Sequence, residues 1–447
     1  MKSRLILLSA FCCICFLPAS NAFADDLWTL KTCIAYAVEN NPDLQASKTR
    51  ISISTYDFDY QHALFLPHLD FVAATGYLTG EPTSSFAVVR DITNEGDRSS
   101  NVSGQYISGS LTLSVPLLRE GVFFARNAPA LNIAASQITE DKGRYEAKKS
   151  QIIYEIGVSF FSLLKNMEDI RIAEEHLKSL RLNYETAQSK YREDLLSKNE
   201  LLVLEVKLAE GEKELVTAVN SSRRLNAELS LKLGLEPTKK IAVSDENFFF
   251  APVLSLDELL DIALANRQEM KIKESQVWKA KEEELLAKSK IYPNIDFVSS
   301  YSVANDYGSR SNSLFTSTVQ LSMPLFDSGA TKSKVASRQL RVAEEQNLLL
   351  ATKHTIEREV IISVINIQDI SALIALQEKI VAQHKEESRL MKGKFEQNLV
   401  PLSAVLEAEY SLHDSQKALA QQKYDLRLGY MQLAKALGSN TVLSMLR

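Results

Sequence analysis

Residues 111–121 read LTLSVPLLREG, and residues 319–329 read VQLSMPLFDSG. Leu113/Leu321, Ser114/Ser322, Pro116/Pro324, Leu117/Leu325 and Gly121/Gly329 all lie 208 positions apart. In both copies an alternating polar and apolar run meets a proline, and a glycine follows. Alternation of this kind is the pattern of a strand, and proline marks where its ladder stops needing donors. Each copy therefore predicts a strand ending at the proline.

The duplication extends well beyond these stretches. WTLKTCIAYAVENNPDL and LSLDELLDIALANRQEM open two similar halves, with an offset of 226 at Leu30/Leu256, Ala37/Ala263 and Asn40/Asn266. The same offset holds at Pro67/Pro293, Asp70/Asp296 and Phe71/Phe297, and it becomes 204 at Leu195/Leu399, Glu205/Glu409, Leu229/Leu433 and Gly234/Gly438. The step from 226 to 208 places an insertion between Pro67 and Pro116. Residues 80–104 have the Gly, Pro, Ser and Asn content of a loop. Two structurally equivalent halves are expected, 25–240 and 254–447, joined by a linker at 241–253.

Residues 1–24 have the form of a signal peptide: Lys2 and Arg4, then the apolar run Leu5 to Leu17, then Ala22-Phe23-Ala24. Cys12, Cys13 and Cys15 lie inside the apolar run, so no lipid anchor is expected, and only Cys33 would remain after cleavage. A single thiol forms no intrachain disulfide, so the fold must hold without one in an oxidising compartment. Removing Lys2 and Arg4 takes the net charge from −5 to −7, against a nucleic-acid partner. After the leader no apolar run looks long enough for a transmembrane helix. The chain is expected to be periplasmic, released, or a β-barrel of the outer membrane.

Four short segments bear on that choice. Leu69, Phe71, Ala73, Thr75 and Tyr77 share one face of the first, opposite His68, Asp70, Val72, Ala74 and Gly76. Ile107, Leu111, Leu113 and Val115 stand opposite Ser108, Ser110, Thr112 and Ser114 in the second. The third and fourth repeat the pattern, with Ile295, Phe297, Tyr301 and Val303 and then Phe315, Val319, Leu321 and Met323 on the apolar side. Length and period suit transmembrane strands, and a soluble sheet with one wet face would read the same way. Pro67, Pro116, Pro293 and Pro324 mark the strand–helix junctions, with Phe65, Tyr292 and Phe326 close by. Four strands cannot close on themselves, since a filled barrel needs about eight. In a membrane, several chains would have to share one barrel.

The remainder is helical. Residues 121–191 and 329–395 contain no proline after Pro129, which allows helices on the order of 100 Å at about 1.5 Å per residue. Ile356, Ser363 and Ile370, beside Val360, Ile367 and Ile374, form a heptad seam, which Val364 and Leu373 widen. Residues 198–234 and 402–438 return as shorter helices ending in Leu-Gly, where glycine can adopt the left-handed cap. The turns YREDLLS (191–197) and FEQNLVP (395–401) place Asp194 and Asn398 at equivalent positions, the non-glycine types that best tolerate positive φ.

The L-x-x-A-x-x-N openings, the P-x-x-x-F strand starts, the PLFDSG exit at 324–329 and the terminal Leu-Gly pairs, in this order and twice over, resemble the outer-membrane efflux channels of the TolC family. The resemblance implies a mixed fold: a trimeric outer-membrane β-barrel of twelve strands, four per chain, joined to a long periplasmic α-helical barrel. It implies an exit duct of a tripartite efflux or type I secretion system, working with a periplasmic adaptor and an inner-membrane pump of RND, ABC or MFS type. It places the adaptor-docking tips at Asp194, Leu195, Leu196, Asn398, Leu399 and Val400. The family's two acidic aperture positions fall on Ala404 and Glu407, with Glu200 the first-half equivalent. Its usual tip glycines are replaced by Asp194 and Asn398, and its nearby basic partner by Val400.

No catalytic constellation accompanies this pattern. His62, His68, His176, His354, His384 and His413 lie apart without ligand spacing, and no phosphate loop occurs. Neither cofactor nor metal is expected. A periplasmic coiled-coil adaptor would explain the hairpins but not the duplicated strands, and a secreted hydrolase would need residues that are missing.

Overall fold

A computed structural model describes residues 27–80, 102–124, 127–244, 255–306 and 311–438. The leader 1–24, most of the inserted loop at 80–104 and most of the linker at 241–253 lie outside these residues. The first half runs α1 (Leu30–Asn40), α2 (Pro42–Ala63), β1 (His68–Gly80), β2 (Val102–Arg119), the short β3 (Val122–Phe123), α3 (Pro129–Arg192) and α4 (Lys198–Leu233). The second runs α5 (Leu256–Asn266), α6 (Gln268–Ser289), β4 (Asn294–Asp306), β5 (Ser311–Ser322), α7 (Ala330–Glu396) and α8 (Leu402–Leu437).

Local chemistry sets the helix starts. Thr29 with Thr32, and Ser255 with Glu258, form reciprocal capping boxes at α1 and α5, so two orphan donors are satisfied at each start. Asn41 caps α2 ahead of Pro42. Its counterpart Arg267 instead sends its guanidinium to the carbonyls of Lys435 and Ala436 at the end of α8.

The four long strands pair antiparallel in the order β1-β2-β4-β5. The register joins the apolar positions into one face: Phe71 opposite Leu111, Leu111 opposite Tyr301, and Tyr301 opposite Phe315. Leu69, Phe71, Phe315, Val319 and Leu321 are exposed on that face, with nothing among the described residues to cover them. On the other face Thr112 and Ser300 pair their hydroxyls at 3.2 Å. β1 and β5 are the two edges, each with one partner among the described residues.

Pro67 and Pro293 directly precede β1 and β4, and Pro324 follows β5. Pro116 is a correction, because β2 continues through it to Arg119. Pairing with β1 has stopped by then, at Ser114 opposite His68, and the ladder to β4 shifts register between Pro116 and Leu118. A proline is tolerated at such a bulge. Arg119 then ties the junction together, reaching the Leu64 carbonyl at 3.3 Å and Asp296 at 3.4 Å.

The core lies in the helical part. Leu30, Cys33, Ile34, Ile153, Ile156, Phe160, Leu229 and Leu233 bury one cluster from α1, α3 and α4. Leu259, Ala263, Ile356, Val360, Ile367, Leu433 and Leu437 bury its counterpart from α5, α7 and α8. The seam expected in α7 is this core: Ile356, Val360, Ser363, Val364 and Ile367 are buried, and Ser363 returns its hydroxyl to the Glu359 carbonyl at 2.7 Å. Leu373, by contrast, is exposed. The expectation that nothing beyond the leader is long and apolar enough to cross a membrane is also corrected. α7 contains such a window by length and composition, and most of that window is not buried.

Candidate functional site at the hairpin tips

The two helical hairpins end in turns between Arg192 and Lys198 and between Glu396 and Leu402. Neither turn contains glycine, yet each places one residue in the left-handed region: Asp194 and Asn398 both have φ of 58°. Leu195 N–H donates to the Lys190 carbonyl and Leu399 N–H to the Lys394 carbonyl, both at 2.9 Å. These bonds close the orphan carbonyls of the long helices. Leu195 and Leu399 stay exposed. Leu196 and Val400 pack against Leu180, Ala187, Leu204, Phe395, Leu402 and Val405.

The returning helices start differently. Ser197 caps α4, and the Glu200 carboxylate accepts from Ser197 N–H at 3.1 Å and from its hydroxyl at 2.8 Å. Glu200 is thus engaged in a capping box. In the second half Pro401 provides no side-chain cap, and Ala404 stands in the place of Glu200. Glu407 is exposed on α8, with no hydrogen bond or ion pair among the described residues.

Three contacts between the hairpins have no signature in the sequence. Lys190, on α3, donates to the Phe395 carbonyl and to Asn398 Oδ1, both at 2.5 Å, with its ammonium 4.2 Å from the Phe395 ring centre. Glu409, on α8, is buried and accepts from Ser179 at 2.5 Å, Asn183 at 2.7 Å and Lys392 at 2.6 Å. His413 stacks on His176 and places Nε2 3.0 Å from Glu214, which also accepts from Lys417 at 2.6 Å. The expectation that the histidines lie apart therefore fails for one pair. Their alignment depends on how α3 lies against α8, which no local spacing records. Burial, with His413 beside it, holds His176 below the ordinary histidine value. Lys417 and His413 hold Glu214 below the ordinary carboxylate value against its own partial burial.

The outer membrane efflux protein family model matches residues 34–235 and 259–439, one match in each half of the duplication. The chain is 23% identical to the "Probable outer membrane lipoprotein SilC" of Salmonella typhimurium, over 95% of this chain and 90% of that protein. The outer membrane protein VceC of Vibrio cholerae superposes with a TM-score of 0.76 at 17% identity, covering 92% of this chain and 96% of that one. The CmeC outer membrane channel of Campylobacter jejuni gives 0.76 at 14% identity, covering 94% and 89%. With family matches over most of both halves and the channel fold over nearly all of the chain, this protein belongs to the outer membrane efflux protein family.

Proposed function

We propose that three copies of this chain share one twelve-stranded barrel in the outer membrane and one helical tunnel beneath it. That assembly would serve as the exit duct of a tripartite efflux or type I secretion system. The observation that carries this reading is the four long strands of the sheet, apolar on one face and, among the described residues, open at both edges β1 and β5, set on hairpins about 100 Å long. An open edge is not tolerated in lipid, and four strands are too few to close alone. The same sheet argues against a coiled-coil adaptor, which would have no use for an exposed apolar face of that length. Light scattering or native mass spectrometry in detergent tests the assembly, and a folded monomer would overturn it.

Asp194, Leu195, Leu196, Asn398, Leu399 and Val400 are the residues we assign to adaptor docking, and an inner-membrane pump of RND, ABC or MFS type would feed the duct. Glu407 is the aperture residue we favour over Glu200 and Ala404, because Glu200 is engaged in its cap and Ala404 carries no charge. Three copies of Glu407 around a narrow lumen would favour cations, since low-dielectric walls focus the field. Planar-bilayer reversal potentials decide this: selectivity unchanged in Glu407→Ala would remove Glu407 from the aperture.

A further inference from the structure

The two long helices share their inner seam but not their outer one. At the offset of 204, Ile152/Ile356, Ile156/Val360, Phe160/Val364 and Leu163/Ile367 are buried in both copies. One position round the helix the copies diverge. Phe161 and Ile172 are 1% and 2% exposed, while their counterparts Ile365 and Leu376 are 48% and 57% exposed. α8 accounts for the difference, because Ala420 and Tyr424 line one groove with Phe161 and Ile172. The duplicate of Ala420 on α4 is Val216, 59% exposed. An uncovered stripe on α7 and an uncovered stripe on α4 are thus the two sides of a contact that the chain makes once, between α3 and α8.

We infer that α7 of one subunit receives α4 of a second copy, repeating the α3–α8 contact, and that Lys394 binds Asp194 of the partner subunit. Lys394 is the duplicate of Lys190, and Tyr191 and Asp194 are the duplicates of Phe395 and Asn398, at the same offset. Within the chain, Lys190 latches the second tip through the Phe395 carbonyl, the Phe395 ring and the Asn398 side chain. Lys394 and Asp194 are exposed and make no side-chain hydrogen bond or ion pair among the described residues. Tyr191 is 38% exposed where Phe395 is 6% exposed. The between-subunit latch gains a carboxylate where the internal one has an amide, so it is a charge-assisted pair. Around a trimer, internal and between-subunit latches alternate and close the ring of tips.

The duplication also sets the sheet closure, at an offset of 226 for the first strand of each half and 208 for the second. The pairing of Leu111 with Tyr301 maps onto Val319 opposite Thr75 of the partner subunit, which keeps the apolar faces continuous.

This inference rests on the trimeric assembly, and the experiment separates the two. Full-length protein carrying Lys394→Cys and Asp194→Cys is treated in detergent with a short bis-maleimide. Lys190→Cys with Asn398→Cys, which links within one chain, calibrates the reagent. Cys33 is fully buried, and burial pushes its thiol up to about 12, so it stays unreactive. The expected result is conversion of most of the monomer band on a denaturing gel to covalent trimer, with neither single variant exceeding dimer. If the internal pair links and native mass spectrometry reports a trimer, but the 394/194 pair stays monomeric, the inference is overturned and the trimer stands. A monomer in native mass spectrometry would overturn the assembly itself.

Discussion

His176 and His413, from opposite halves of the chain, stack with ring centres 4.3 Å apart and planes 21° apart. Glu214, Glu409, Lys392 and Lys417 surround the pair, contributed by α4, α7 and α8. Because the folded state depresses the His176 value, stability is fully present above the unfolded histidine value, about 6.5, and falls as pH drops below it. The melting temperature should hold from pH 8 to about pH 7 and decline towards about pH 5. The lowered Glu214 acts only at still lower pH, as its carboxylate titrates. His176→Gln should flatten the decline; an equally steep fall in that variant would assign it elsewhere.

Glu409 is the buried acceptor for Ser179, Asn183 and Lys392. Glu409→Ala would remove the carboxylate from all three donors, leaving Asn183 without its acceptor and Lys392 with only the Ser179 hydroxyl at 2.7 Å. The loss should cost about 1–3 kcal/mol per subunit, and Glu409→Gln should cost less because an acceptor oxygen remains. Thermal melts of the two variants in detergent check the order. A melt of the alanine variant matching wild type would mean that water replaces the carboxylate without loss.

Gly234 ends α4 at φ 79°, and a Cβ there would lie 2.8 Å from the Asn40 carbonyl oxygen. Gly329 starts α7 at φ 85°, with no atom within 4 Å of a built Cβ. Gly329→Ala should therefore lose only the left-handed penalty, about 1–2 kcal/mol, while Gly234→Ala adds a backbone collision and should melt markedly lower. Equal melting temperatures would show that the α1–α2 turn yields freely.

Phe315 lies on the exposed apolar face of β5, and its neighbour Thr316 pairs with Ser300 on the polar face. Phe315→Arg puts a charge towards lipid and should cost up to about 2–4 kcal/mol, against little for Thr316→Arg. The yield of folded, heat-modifiable protein in outer-membrane fractions reads this out. A similar yield from both variants would contradict the assignment of faces.

Much of the fold was legible because its signals are local. The alternation around Phe71 and Phe297 reads as strands, and the spacing of Ile356, Val360 and Ile367 reads as a seam, since side chains two or four residues apart share a face by backbone geometry alone. Asp194 and Asn398 were legible as turn residues for the same reason. Pro116 misled because whether a strand ends there depends on the neighbour beside it, and β1 had already stopped at His68. Gly438 was expected to mirror Gly234 but adopts φ 101° and ψ 152°, with Asn266 packed close by.

The sequence by itself determined the duplication, the strand count that forbids closure by one chain, and the length of the hairpins. Each is a property of spacing along the chain. The tertiary structure decided which acid is free and which is used. Glu200 is engaged in its own helix cap, Glu409 is buried between hairpins, and Glu407 is left exposed, though all three are ordinary helical glutamates to a reader of the sequence. It also decided that Phe161 is covered while its duplicate Ile365 is bare. Two copies of one pattern acquire different environments when only one has a neighbour in the same chain, and that asymmetry exists only once the helices lie side by side.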